Sequence, residues 1–540
     1  MKLTLNGLTE RSGFEQASIR IPDYDIRKIV ANTKKAPRWA HFGIGNIFRI
    51  FIGGAADDLI EKKLMDTGIT CIETFDFDVV DRIYAPYDNL ALCVTMHENG
   101  DVDKRVTGSL TEAIAARPGD TKAAERLEEI FTADSLQLVS FTITEKGYEL
   151  FDENGNVFPR LLKELSEGPD APLTSAMTIV TAGLNKRFLA GGAPLSLVSM
   201  DNVSQNGSKL RSSVLEVAKR WMEKGFISEE AFSYISDESR VSFPWTMIDK
   251  ITPRPDENVR DMLIKDGMED MDIVVTDKRT YIAPFVNAEA PQYLVVEDSF
   301  PNGRPAFEEA GIYVTDRETV NASERMKVTV CLNPIHSALG PYGVLLGYHR
   351  FSDVIADREL NRLAGLVGPK EGMQVVIDPG ILSPEAFMKE LMTKRFPNPY
   401  IPDTPERLCT DISQGLSVRF GVTIKAFTAR DGNAGKLLGI PLGIAGWLRY
   451  LMGVTDELKA YELAPDPLNP QLRKELLSEG VKIGDPDSLK DQLRPILSNT
   501  SIFGIDLYEA GIGERIEEIF REEIAGKGAV RRTLEKYLAK

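Results

Sequence analysis

Up to about residue 315, short apolar runs bounded by turn residues alternate with longer stretches of helical period. Residues 38–43, 69–76, 136–144, 195–200 and 292–298 read as strands, and residues 50–64, 122–132 and 174–190 as helices. That alternation predicts an α/β layer with a parallel sheet. Residues 1–36 are polar and mixed and read as an arm or cap, while residues 254–290 read as charged and irregular. From Glu324 onward helical patterns dominate, broken at Gly340-Pro341 and by a loop over residues 395–404. The expected division is therefore an α/β domain over 1–315 and a mostly α-helical domain over 316–540.

The best-defined turn joins the first of these strands to the first helix. Gly43-Ile44-Gly45-Asn46-Ile47 follows the strand, and the second strand ends in acids, Glu73 and Asp76. Strand, glycine turn, helix and acid-ended strand is the layout of a Rossmann-type dinucleotide-binding unit. Glycines let the backbone turn tightly and approach a pyrophosphate, whose charge sits on the helix N-terminus. An acid closing the second strand accepts from the ribose hydroxyls and repels a 2′-phosphate. NAD is thus expected over NADP, with Asp76 the first candidate, Glu73 the second, and Thr144 completing the cofactor set at the end of another strand. Phe48 stands at the third glycine of the GxGxxG pattern, and a bare GxG also fits a plain strand-to-helix turn.

The strand at residues 195–200 delivers Asp201 and Asn202 to the sheet edge where open α/β folds bind ligands. Asn202 fits equally a turn residue satisfying its own backbone. Asp249 lies in an apolar, proline-punctuated run and needs a partner if buried. The densest cluster follows the domain boundary: Glu324, Lys327, Asn333 and His336. Such a set can take a proton from an alcohol, hold the resulting oxyanion and orient the substrate. The bland alternative is one polar-to-apolar turn of an ordinary helix. A lysine has an ordinary pKa near 10.4. As a base at neutral pH it must be desolvated or held near other cations.

Composition narrows the partners. Hydrophobic residues at 43% with 27% charged residues fit a soluble globular protein. A net charge of −17 with no basic tract argues against nucleic acid or an anionic membrane. The four cysteines form no CxxC pair, which suits reduced thiols in the cytoplasm, and four histidines leave little for a His-rich metal centre. No run approaches the roughly 20 apolar residues of a membrane span, and the N-terminus lacks a signal-length apolar core.

Seven segments, taken in order, resemble the mannitol dehydrogenase family, the polyol-specific long-chain dehydrogenases and reductases. They are Gly43–Ile47 with Arg49, Thr142–Tyr148, Asp201-Asn202 with Asn206-Gly207, Phe243–Pro253, Val296–Pro305, Glu324–His336, and Asn398–Thr404 with Arg407, Asp411 and Ser413. The resemblance spans nearly the whole chain. It implies a metal-independent site to which both domains contribute, with Lys327 as general base and Asn202 and Asn333 as the oxyanion hole. His336, Asp249 and Arg407 would line the substrate pocket, and Glu324 would act beside the lysine as a proton or water gate. The implied reaction interconverts a keto sugar acid and its hydroxy acid, fructuronate and mannonate, with Lys250, Arg407 or Arg419 pairing the carboxylate. A polyol or tagaturonate is the alternative substrate, and an inactive NAD-binding sensor the alternative of another class.

The chain departs from the family in two places that matter below. Five residues separate Lys327 from Asn333 where the family has four, and Gly415 stands where relatives often carry a basic residue. Strand through this stretch would hold Lys327 and Asn333 about 20 Å apart, beyond any shared substrate atom. A helix brings them within about 9 Å along its axis. A helix from Lys327 to His336 with a π-bulge or wide turn before Pro334 is therefore expected, converging all three side chains on one cleft.

Overall fold

The computed structural model describes residues 1–152, 154–401 and 403–539 and divides into two compact units, Met1–Asn321 and Ala322–Lys540. At the centre of the first lies a six-stranded sheet: β1 (Trp39–Phe42), β2 (Ile69–Glu73), β3 (Leu110–Ala115), β4 (Leu138–Phe141), β5 (Leu195–Ser199) and β6 (Val241–Ser242). The order is β3-β2-β1-β4-β5-β6 with every neighbouring pair parallel, the Rossmann arrangement. Strand residues alternate between two apolar layers. Trp39, Cys71 and Leu138 join one, while Ala40, Phe42, Val139 and Phe141 join the other. Burial on both faces explains why these strands read as continuous apolar runs.

β1 feeds a π-helical turn, Phe48–Ile52, and then α1 (Gly53–Glu61). The Phe48 ring stacks on His41 of β1 with centroids 4.0 Å apart and planes 11° from parallel. Where a third glycine would let helix and strand approach, an aromatic ring fills the gap and the wide turn makes room for it. α2 (Thr121–Thr132), α3 (Ala176–Leu189) and α4 (Asn206–Glu223) follow, the first two where the periodicity placed them.

Three expectations are corrected. Residues 1–36 are not an arm: Leu3, Phe14 and Ile19 are buried in a third apolar cluster, and Ile19–Arg20 pairs in parallel with Val102–Thr107. Residues 254–290 hold a helix, Glu257–Lys265, capped by Asp256, and a strand, Phe285–Glu289, that pairs with Ala91–Met96. Gly340-Pro341 does not break its helix.

The second unit continues α5 (Arg317–Arg325) through a π-helical turn, Met326–Cys331, into α6 (Asn333–Leu345), which carries Pro341 in its interior. α6 is nearly all buried, packing on α7 (Phe351–Ala356), α8 (Pro405–Leu408), α9 (Ile412–Arg419) and α10 (Gly439–Leu451). Tyr342 Oη bonds both the Leu442 carbonyl at 2.9 Å and Glu523 Oε1 at 2.6 Å. Burial pushes the Glu523 carboxyl up to about 8, and the bond from Tyr342 opposes that rise. No described helix is long and apolar enough to cross a membrane.

A chain of side chains runs along β1 and β4. Trp39 Nε1 donates to Ser140 Oγ (2.7 Å), Ser140 bonds His41 Nδ1 (2.6 Å), His41 Nε2 bonds Thr142 Oγ1 (2.9 Å), and Thr142 donates to the Gly43 carbonyl (2.6 Å). One direction satisfies every member: His41 neutral, accepting at Nδ1 and donating from Nε2. Burial agrees, holding the imidazole down to about 3. A folded pKa below the unfolded value makes this contribution full above about 6.5 and lost as pH falls toward about 3. Denaturant unfolding at stepped pH should show stability dropping by up to about 1.4 kcal/mol per pH unit from this group, and His41→Gln should flatten that slope.

Candidate active site

In the first unit the C-terminal edge of the sheet gathers the expected cofactor residues. Gly43 closes β1 at φ +86°, and an added Cβ would run into the Thr142 carbonyl. Gly45 has open space where its Cβ would be, so a ligand can approach its backbone closely. Asn46 Oδ1 accepts from buried Arg49 (2.8 Å), whose other arm donates to the Ala283 carbonyl (2.7 Å). That bond fixes the turn's outward face, where Gly43, Gly45, Asn46 and Ile47 are partly exposed. After β4, Thr144 holds φ +63°, and Asp201 beyond β5 accepts from Ile143 N (2.9 Å), Thr144 N (3.0 Å) and Tyr148 Oη (2.6 Å). Asp201 thus shapes the loop, and neighbouring Asn202 is exposed.

The acid at the end of β2 is Glu73, not Asp76. Its Oε1 receives the backbone N–H groups of Thr74, Phe75 and Asp76 at 3.0, 2.8 and 3.2 Å, so it caps the turn. Asp76 lies three residues on, 5% exposed, with Oδ2 accepting from Thr276 (2.6 Å). The misplacement arose because an apolar strand pattern runs on through Phe75 and Phe77, which in fact belong to the following turn. Asp249 ends the strand Thr246–Asp249 and is buried, and Lys250 Nζ donates to the Glu289 carbonyl at 2.7 Å.

In the second unit the wide turn before Pro334 is present. Leu332 N donates to the Lys327 carbonyl five residues back (3.0 Å), and Lys327 itself is 2% exposed. Glu324 precedes it on α5, and Asn333 opens α6. Nine residues of regular helix would turn His336 about 900° from Lys327, onto the opposite face. Giving one residue to the π turn removes about 100°, leaving the two about a quarter turn apart.

Around His336 stand two aromatic rings and three arginines. Its imidazole meets Phe351 at 4.9 Å and Phe396 at 5.3 Å. Burial pulls its pKa down to about 4, and Arg407, Arg395 and Arg419 push the same way against Asp403. The ring is therefore neutral at pH 7, a hydrogen-bonding group and not a cation. Arg407 is paired with buried Asp403 at 2.7 Å, and Arg395 is buried. Ser413 is bound to Asp466 (2.6 Å) and anchors α9. Pro402, within the Asn398–Thr404 motif, lies outside the described residues. Arg395 reads in sequence as an ordinary basic residue opening the loop over residues 395–404. Among the described residues no three His, Cys, Asp or Glu side chains gather as a metal site.

Residues 37–309 match the mannitol dehydrogenase Rossmann domain and residues 319–522 the mannitol dehydrogenase C-terminal domain. The chain belongs to the mannitol dehydrogenase family. It is 48% identical to a D-mannonate oxidoreductase of Thermotoga maritima, covering 100% of this chain and 99% of that one. It is 27% identical to a mannitol 2-dehydrogenase of Aspergillus fumigatus, again over 100% and 99%. Among solved structures, the Pseudomonas fluorescens mannitol 2-dehydrogenase in ternary complex with NAD and D-mannitol aligns at TM-score 0.70 with 25% identity over 100% of both chains. A D-sorbitol dehydrogenase shares the fold at TM-score 0.77, covering 95% of this chain and 98% of that one at 24% identity.

The two glycines of the turn should respond differently to the same change. Gly43→Ala should lose about 1–3 kcal/mol in urea unfolding, because its backbone is left-handed and its Cβ has no room. Gly45→Ala should stay within about 0.5 kcal/mol of the parent.

Proposed function

We propose that this protein is an NAD-dependent oxidoreductase that interconverts a keto sugar acid and its hydroxy acid, with fructuronate and D-mannonate the expected pair. The observation that carries this is the 48% identity, end to end, with a D-mannonate oxidoreductase. Mannitol 2-dehydrogenases lie at 27% over the same length, so a neutral polyol is the weaker reading. The arginines around His336 favour an anionic substrate on chemical grounds.

The roles follow from what each side chain can do. Lys327, held out of water on the π turn, takes the proton from the reacting hydroxyl in the oxidative direction and returns it in reduction. Asn333 donates its amide hydrogens to the oxygen as negative charge develops there, the role the family resemblance also implies for Asn202. Neutral His336 orients a substrate hydroxyl, and Glu324, three residues before the lysine, passes the proton on toward water. Asp249 and Arg407 contribute further hydrogen bonds to the substrate. Gly43, Gly45, Asn46 and Ile47 would hold the pyrophosphate of NAD, with Thr144 beside it and Asp76 and Glu73 toward the ribose. The open backbone at Gly45 fits such a group. Bound NAD supplies the hydride acceptor or donor.

The extra residue between Lys327 and Asn333 is the feature that permits an inactive NAD-binding sensor. It is taken up in the wide turn, so that reading loses its motive. We place the functional division near residue 315, between the matched regions. The net charge of −17 and four unpaired cysteines support a cytoplasmic protein with a small-molecule partner, without nucleic acid or membrane.

Lys327→Ala should lower kcat at least about 100-fold with NADH binding within about twofold of the parent, and chelators should leave turnover unchanged. Retention of more than about a tenth of kcat, a loss under about 1.4 kcal/mol, would remove lysine as the base. Activity should be higher with NADH than with NADPH, and Asp76→Ser should narrow that gap. Equal rates of the unmodified protein with both cofactors would contradict the assignment of the acid.

A further inference from the structure

In the second unit Arg419 is desolvated and its side chain lies against a glycine. Arg419 is the last residue of α9, which packs against both α6 and the Met326–Cys331 turn. Its guanidinium folds back along its own helix onto Gly415, four residues earlier. A Cβ at Gly415 would lie 2.5 Å from Nε and 2.6 Å from Cζ of Arg419. The missing side chain at 415 is therefore the seat in which the guanidinium rests.

From that seat one arm donates to Ser337 Oγ at 3.0 Å, and Ser337 is fully buried on α6 beside His336. Among the described residues this neutral hydroxyl is the side chain it bonds. Among the described residues no carboxylate forms an ion pair with Arg419, whereas Arg407 is held by Asp403. Burial lowers the Arg419 pKa, and Asp411 opposes this only from beyond ion-pair distance. A guanidinium stays charged in proteins and carries five donors, so this one is desolvated and under-used.

Lys250 and Arg407, the other cations suited to a carboxylate, already serve a backbone carbonyl and Asp403. We propose that Arg419, seated on Gly415 and steadied by Ser337, binds the carboxylate of the substrate and sets the preference for a sugar acid over the neutral sugar. This rests on the sugar-acid reading above. A planar fork meeting a carboxylate in two parallel hydrogen bonds gives orientation as well as attraction. The group at 415 is then a specificity element by being absent. Any side chain there would push the guanidinium off its seat.

The test compares kcat/KM for a keto sugar acid with that for the neutral ketose of the same configuration, using NADH and the full chain. Arg419→Gln should raise KM for the acid and cut the acid-to-neutral ratio by about 10–100-fold. Arg419→Lys should retain part of that ratio as a point charge without the fork. Gly415→Val, which keeps the arginine but removes its seat, should also lower the ratio. NADH binding reports folding in each variant. If Arg419→Gln does not bind NADH, Arg419→Lys and Gly415→Val decide. An unchanged ratio in the folded variants overturns the proposal. Absence of turnover of any keto sugar acid by the unmodified protein overturns instead the reading on which it rests.

Discussion

The hydrogen bond from Leu332 N to the Lys327 carbonyl is the constraint on which the second unit depends. It spans five residues instead of four, and so lets a six-residue step from Lys327 to Asn333 run as helix into α6. The local sequence leans the other way, since Val328, Thr329 and Val330 are β-branched and stiff at χ1. Two features tip the balance. The Thr329 hydroxyl donates to the Arg325 carbonyl at 2.6 Å, a back-bond that bends helices. Pro334, at the start of α6, has no N–H to lose and is pre-set for a first helical turn. Tertiary burial of the turn supplies the rest, with Met326, Val330 and Cys331 fully enclosed.

The first unit solves a parallel problem with the same device. A π turn admits Phe48 where a third glycine would have been, and the ring's partner, His41, belongs to the bonded chain that ends on the Gly43 carbonyl. The glycine turn is thus held by the strand that precedes it, through Thr142 of the neighbouring strand's end. Arg49 holds it from the helix side through Asn46. Gly45 is left with open space where its Cβ would be.

The sheet could be read from the sequence because parallel strands buried on both faces write their positions as local apolar runs. The same local logic called for the wide turn between Lys327 and Pro334, since reach and helical phase depend only on spacing. What failed was non-local. Phe285–Glu289 is a strand because it pairs with Ala91–Met96, and nothing in its own composition announces that partner. Ile19–Arg20 is too short to show a period, and its place comes from Val102–Thr107. Pro341 was read as a helix breaker, but the packing of α6 overrides the cost of one lost backbone bond. Asp76 was set at the end of a strand that closes at Glu73, because only the fold reveals that Glu73 is spent on the turn. Gly415 reads in sequence as a lost cation, and only the structure shows the Arg419 side chain lying in its place.

Substrate choice by the unmodified protein is the most direct test of the sugar-acid assignment. Steady-state NADH oxidation should be measured across a panel of keto sugar acids and neutral ketoses at pH 7. The account predicts that one keto sugar acid, with fructuronate first in rank, gives a kcat/KM in the ordinary enzymatic range of about 10⁴ M⁻¹s⁻¹ or more, well above every neutral ketose. A neutral ketose turned over faster than all the acids, or no turnover of any member, would contradict it.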